Sequence, residues 1–158
     1  MRRDLSIGDL GDLLERPIVA VLATHRSNGD TLLSPVWHEW RDGGFNVVVG
    51  VDDAKAQHLR GDPRAGLVVF DQEPPYRGVE LRARVKLLMA EVVETNRRIA
   101  VRYLGEEKGT AYASSVDDDL VIVRLEPGVV DPNLRALALV NLGIAELWTG
   151  EAEAAERH

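Results

Sequence analysis

The hydrophobic pattern of this chain has mostly the two-residue period and short runs of strands, with helical spacing in a few places. Ile7, Leu10, Leu13 and Leu14 fall on one face of a short opening helix. Ser6 is placed to cap it, Asp9 follows three residues later, and Pro17 ends it. The run Ile18 to Thr24 predicts a first strand. Ser27-Asn28-Gly29-Asp30 then predicts a hairpin turn in which Asn28 and Gly29 both take positive φ. A second strand is expected over Thr31 to Trp40, a turn over Arg41-Asp42-Gly43-Gly44, and a third strand over Phe45 to Val51. The period changes at Asp53, where a short helix over residues 53–60 is stopped by Gly61-Asp62-Pro63.

Ala65 to Phe70 reads as a fourth strand. Glu73-Pro74-Pro75-Tyr76 predicts an irregular loop, because consecutive prolines lack amide donors. A long strand is expected from Val79 to about Val93, then a helix from Thr95 to Leu104 closed by Gly105. Glu106 to Asp119 is polar and reads as a loop, and Leu120 to Leu125 is a sixth strand stopped by Pro127. From Asp131-Pro132 a capped helix is expected through Leu134, Leu137 and Ala138 to Trp148. The pattern thus divides the chain into a domain over residues 1–130 and a C-terminal helical tail over 131–158. Six strands on short connections with few helices predict a mainly β, α+β fold: a closed or nearly closed antiparallel barrel with short flanking helices.

Composition narrows the function. The 158 residues are 45% apolar and 28% charged, ordinary values for one globular domain. A net charge of −7 argues against nucleic acid or an anionic membrane as a partner, since both attract a positive field. No apolar run is long enough for a membrane span, and the start of the chain lacks the apolar stretch of a signal peptide, so a cytoplasmic protein is expected. The absence of cysteine removes disulfides, thiolate metal sites and cysteine nucleophiles together. Only 3 of the 19 basic side chains are lysines, Lys55, Lys86 and Lys108.

Candidate chemistry is sparse. His25, His38, His58 and His158 do not have metal-ligand spacing, and no metal site is expected. Asp52-Asp53 and Asp117-Asp118-Asp119 suit turns and helix caps. Arg82, Arg84 and Lys86 alternate with apolar residues and put three cations on one face of a strand, a solvated face before an anion site. Lys55 stands in the first turn of a helix, where free amides and the helix dipole favour an anion. A solvated lysine is the plain alternative.

The order of motifs resembles the split β-barrel flavin and deazaflavin oxidoreductases, the superfamily that includes pyridoxamine 5′-phosphate oxidase. The matching residues are Leu22-Ala23-Thr24, Asn28-Gly29, Ser34-Pro35-Val36-Trp37, Lys55 with Leu59, Asp62-Pro63-Arg64, Pro75-Tyr76-Arg77, Arg102-Tyr103-Leu104-Gly105 and Arg124-Leu125-Glu126-Pro127. The proline loop and the end of the following helix look most like the branch that uses the deazaflavin coenzyme F-420; flavin mononucleotide (FMN) serves elsewhere in the superfamily. The resemblance implies a six-stranded split barrel, a homodimer and a small-molecule substrate. It also implies a cofactor ring along Pro35, Val36 and Trp37 and the backbone of Val49 and Gly50. Lys55, with His58 beside it, would hold the phosphate, and Tyr76 and Arg77 would reach toward cofactor or substrate. No catalytic acid or base is assigned.

The chain departs from that pattern at Asp53 and His58, where the family has an arginine and an asparagine near the cofactor phosphate. Asp53 either faces the phosphate or caps the helix. Three readings follow: a deazaflavin-dependent oxidoreductase acting on a small unsaturated substrate, a non-catalytic carrier or sensor of a flavin-like ligand, and, ranked last for so short a chain, a pyridoxal-phosphate-related oxidase proper.

Overall fold

A computed structural model describes residues 7–74, 77–127 and 139–141. Its strands are β1 (Ala20–His25), β2 (Thr31–Val36), β3 (Glu39–Arg41), β4 (Gly44–Gly50), β5 (Arg64–Phe70), β6 (Gly78–Arg84), β7 (Lys86–Leu88), β8 (Leu120–Leu125) and β9 (Leu139–Asn141). The helices are α1 (Ala54–Gly61), α2 (Val92–Leu104) and α3 (Glu106–Ser115), with a 3₁₀ turn at Ile7–Leu10. One sheet runs β2-β1-β5-β6-β9 and the other β3-β4-β8-β7, every pair antiparallel. Inward side chains of both sheets meet in one core, with Leu22, Phe45, Leu67, Leu81, Val123 and Leu125 almost wholly enclosed. This is the mainly β, antiparallel class that the pattern predicts, in the split-barrel form that the resemblance implies, with nine described strands in two sheets where six were expected. No described helix is long and apolar enough to cross a membrane.

The expected strands differ from the observed ones chiefly at two corners. The second expected strand breaks at Trp37 and His38, and β2 and β3 lie in different sheets. The long strand from Val79 breaks at Val85, whose amide leaves the ladder and donates to the Pro63 carbonyl at 2.8 Å. Arg84 pairs with Arg64 in one sheet, and Lys86 pairs with Arg124 in the other. The alternation of side chains continues through this corner, so periodicity does not reveal it.

Three further expectations are corrected. The 26–30 hairpin keeps positive φ at Gly29 alone, with the Gly29 amide on the Arg26 carbonyl and the Arg26 amide on that of Asp30. It is therefore a three-residue loop closed by glycine and not a two-residue turn. The polar stretch after Gly105 contains α3 rather than a loop. It packs on α2 through Gly109, where a Cβ would lie 2.4 Å from the Val101 Cα. In the tail, Leu139–Asn141 pair with Gly78–Glu80 as a strand, where a helix was expected. The rest of the expected tail helix, with Ser6 and Tyr76, lies outside the described residues.

Arginines tie the elements together. Arg102 of α2 donates to the carbonyls of Leu14, Glu15 and Arg16. Arg98 bonds Glu39, which also accepts from Asn46. Burial raises the Glu39 carboxyl, but these donors outweigh it and hold it below its ordinary range. Arg124 donates to the carbonyls of Arg41 and Asp42 and to Asn46, fixing the β3–β4 turn.

Candidate cofactor cavity

Between the first corner and the helices lies a cavity of about 560 Å³, within the size range of small-molecule sites. Pro35, Val36 and Trp37 line it from the end of β2, and Val48, Val49 and Gly50 from the end of β4. Asp53 and Lys55 close it at the start of α1. Asn96 and Ile99 come from α2, Tyr112 from α3, and Val116, Asp118 and Leu120 from the approach to β8.

Trp37 is held by aromatic packing. Its ring stacks on Tyr103 at 5.0 Å between centroids and 8° between planes, and Tyr112 tilts against it at 5.4 Å. The Tyr103 hydroxyl donates to the Ile18 carbonyl at 2.8 Å and accepts the His38 amide at 3.2 Å. His38 is fully buried, and its Nε2 meets the same carbonyl at 3.0 Å, so the neutral ring donates there. Burial, with the nearby Arg102 charge, pushes the His38 pKa down to about 4. The corner therefore presents Trp37 to the cavity and His38 to the interior.

At the other end the Asp53 carboxylate caps α1. Its Oδ1 accepts the Lys55 amide at 2.8 Å and the Lys55 ammonium at 2.9 Å. Burial raises this carboxyl, but the two Lys55 donors prevail and it stays below its ordinary value, ionised at neutral pH.

Of the site residues expected from sequence, Pro35, Val36, Trp37, Val49, Gly50 and Lys55 come together in this cavity. His58 does not join them. Its Nδ1 meets Thr24 Oγ1 at 3.1 Å, and it lines a second cavity of about 550 Å³ with His25, Arg26, Gln57 and Arg64. Positions 55 and 58 are three apart on α1 and so are neighbours on the helix surface, yet the His58 ring is drawn to Thr24 of β1 and away from the cavity. Arg77 is also turned elsewhere: it binds Asp71, Asp12 and the Leu10 carbonyl and so ties down the N-terminal segment. Sequence reasoning missed Asn96, Ile99 and Tyr112, although Tyr112 was visible as a lone aromatic in a polar stretch. Among the described residues no group of three or more His, Asp or Glu side chains could hold a metal ion.

The family model for pyridoxamine 5′-phosphate oxidase matches residues 9–132. The chain belongs to that family. Its split barrel is similar to that of an F-420 reductase at 22% identity, covering 75% of this chain and 92% of that one, with a TM-score of 0.60. A conserved hypothetical protein from Mycobacterium tuberculosis matches at 22% identity over 87% of this chain and 89% of that one, TM-score 0.67. The heme storage protein HutZ from Vibrio cholerae matches at 16% over 82% and 93%, TM-score 0.61. At these identities the likeness is one of fold. No curated protein matches the chain.

Proposed function

We propose that this pyridoxamine 5′-phosphate oxidase family member is an oxidoreductase that binds a deazaflavin, F-420, in the cavity beside Trp37, and serves a small unsaturated substrate there. FMN is the alternative cofactor. The observation that carries this reading is the convergence of Pro35, Val36, Trp37, Val49, Gly50 and Lys55 on one cavity of about 560 Å³. Part of the wall suits a planar ring: Pro35, Val36, Val49 and Ile99 are apolar, and Trp37 is braced by Tyr103 and Tyr112.

When bound, such a cofactor supplies hydride chemistry. The chain's own contribution is to bind and orient. Pro35, Val36 and Val49 would shield the ring from water and Trp37 would set its plane, while Lys55, paired with Asp53, lines the cavity at the start of α1. The supporting fold relationship includes an F-420 reductase. Tyr112, about half exposed, stands at the margin where a substrate would enter.

We also propose a cytoplasmic homodimer. The outward face of the five-stranded sheet carries Leu33, 66% exposed, with Phe70 exposed and Val21 and Val68 half-buried, an apolar surface suited to a second copy.

A carrier or sensor is the second reading, favoured by the engagement of Lys55 by Asp53. The test is titration of the full chain with F-420 and with FMN, followed by Trp37→Ala. Saturable binding weakened about tenfold or more by the variant is expected, a loss of about 1.4 kcal/mol. Failure of both cofactors to bind would remove the reading. Binding without oxidation or reduction of any unsaturated test compound would favour the carrier.

A further inference from the structure

Resting on that reading, we propose that Asp53 sets the ligand specificity of the cavity: its carboxylate already fills the anion position at the start of α1, so the site favours a ring ligand without a phosphate monoester over its phosphorylated form. One oxygen, Oδ1, takes two donors at the start of α1, the Lys55 amide at 2.8 Å and the Lys55 ammonium at 2.9 Å. Both side chains are partly enclosed, Lys55 at 19% exposure and Asp53 at 35%, so their charges are incompletely screened.

No other described side chain of α1 brings a cation to the cavity. Arg60 turns back to the Val51 carbonyl at 2.7 Å, and His58 turns to Thr24. Among the described lining residues, one cation, Lys55, faces two carboxylates, Asp53 and Asp118. A phosphate dianion would have to displace the Asp53 carboxylate, uncap the helix and then stand beside it. An uncharged ring carries no charge for the Asp53 carboxylate to repel and need not displace it from Lys55.

The experiment compares riboflavin and FMN, the same ring without and with a phosphate monoester, by fluorescence titration of the full chain. The variants are Asp53→Ser and Asp53→Asn, both of which keep an N-cap acceptor and remove the charge. Riboflavin should bind the natural protein at least as tightly as FMN. In the variants FMN should gain about tenfold relative to riboflavin, with riboflavin itself within about twofold, and added salt should shrink the gain. A natural protein that prefers FMN by about tenfold, or a ratio unchanged in both variants, would overturn the role of Asp53 and leave the ring site standing. If neither flavin binds any of the three proteins, this inference falls, while the titration with F-420 decides the ring site separately.

Discussion

Trp37 lies flat against Tyr103, their planes 8° from parallel, so one wall of the cavity is fastened to helix α2. The phenol does two separable things: its ring supports Trp37 and its hydroxyl bridges Ile18 and His38. Tyr103→Phe should cost about 1–2 kcal/mol and leave Trp37 emission in place. Tyr103→Leu should cost more, by about 0.5–1.5 kcal/mol for the lost stacking, and shift the emission to the red. Equal emission shifts in both variants would mean that the hydroxyl, and not the ring, positions Trp37.

Arg102 holds three successive carbonyls, those of Leu14, Glu15 and Arg16, where the N-terminal segment enters β1. Arg102→Ala should lower the unfolding free energy by about 2–4 kcal/mol, since charged donors are lost and carbonyls lose partners. Arg102→Lys should recover little, because one ammonium cannot reproduce the planar fork. Urea unfolding of both variants checks this. A full rescue by lysine would refute the geometric part.

His38 makes stability sensitive to mild acid. Its folded pKa of about 4 lies below the ordinary 6.5, so the unfolded chain binds the proton more readily. The contribution is complete above pH 6.5 and is lost as the pH falls toward 4. Between pH 7 and pH 5 the loss should be roughly 2 kcal/mol, at about 1.4 kcal/mol per pH unit. Glu39, also depressed, adds its own loss only as the pH falls through the carboxylate range. His38→Phe should flatten the upper part of the profile. Unfolding midpoints of both proteins from pH 7 to 5 test this, and parallel curves would contradict it.

Gly109 is the contact point between α3 and α2. Alanine there would gain about 1 kcal/mol of helix propensity. Its Cβ would also lie 2.4 Å from both the Cα and the N of Val101, backbone that cannot swing aside. The clash prevails, and Gly109→Ala should destabilise the fold by about 1–2 kcal/mol net. It should also displace Tyr112 from Trp37 and weaken ligand binding. A variant with raised stability and unchanged binding would show that α3 shifts freely.

The sheet was legible because β1 and its neighbours alternate. Ala20, Leu22 and Thr24 are buried while Val21 and Ala23 are only half-buried, as a two-residue period requires. The corner at Val85 was hidden, since Arg82, Arg84 and Lys86 keep alternating while the chain changes sheets. Helix α3 was hidden for the opposite reason: it buries Gly109 and so carries no apolar stripe. Lys55 and Trp37, singled out by their motifs, do line one cavity. The work of Arg77 and Arg102 could not, because much of it is done on backbone carbonyls, which leave no trace in a sequence.

The His38 amide turns the corner into a reporter. Its proton is held by the Tyr103 hydroxyl, and the Tyr103 ring supports the Trp37 that lines the cavity. A ligand that steadies Trp37 will slow exchange of this one deuterium-labelled position before any global change in melting is seen. Ligands can therefore be ranked by a single amide lying in the protein interior, without knowing in advance what reaction they undergo.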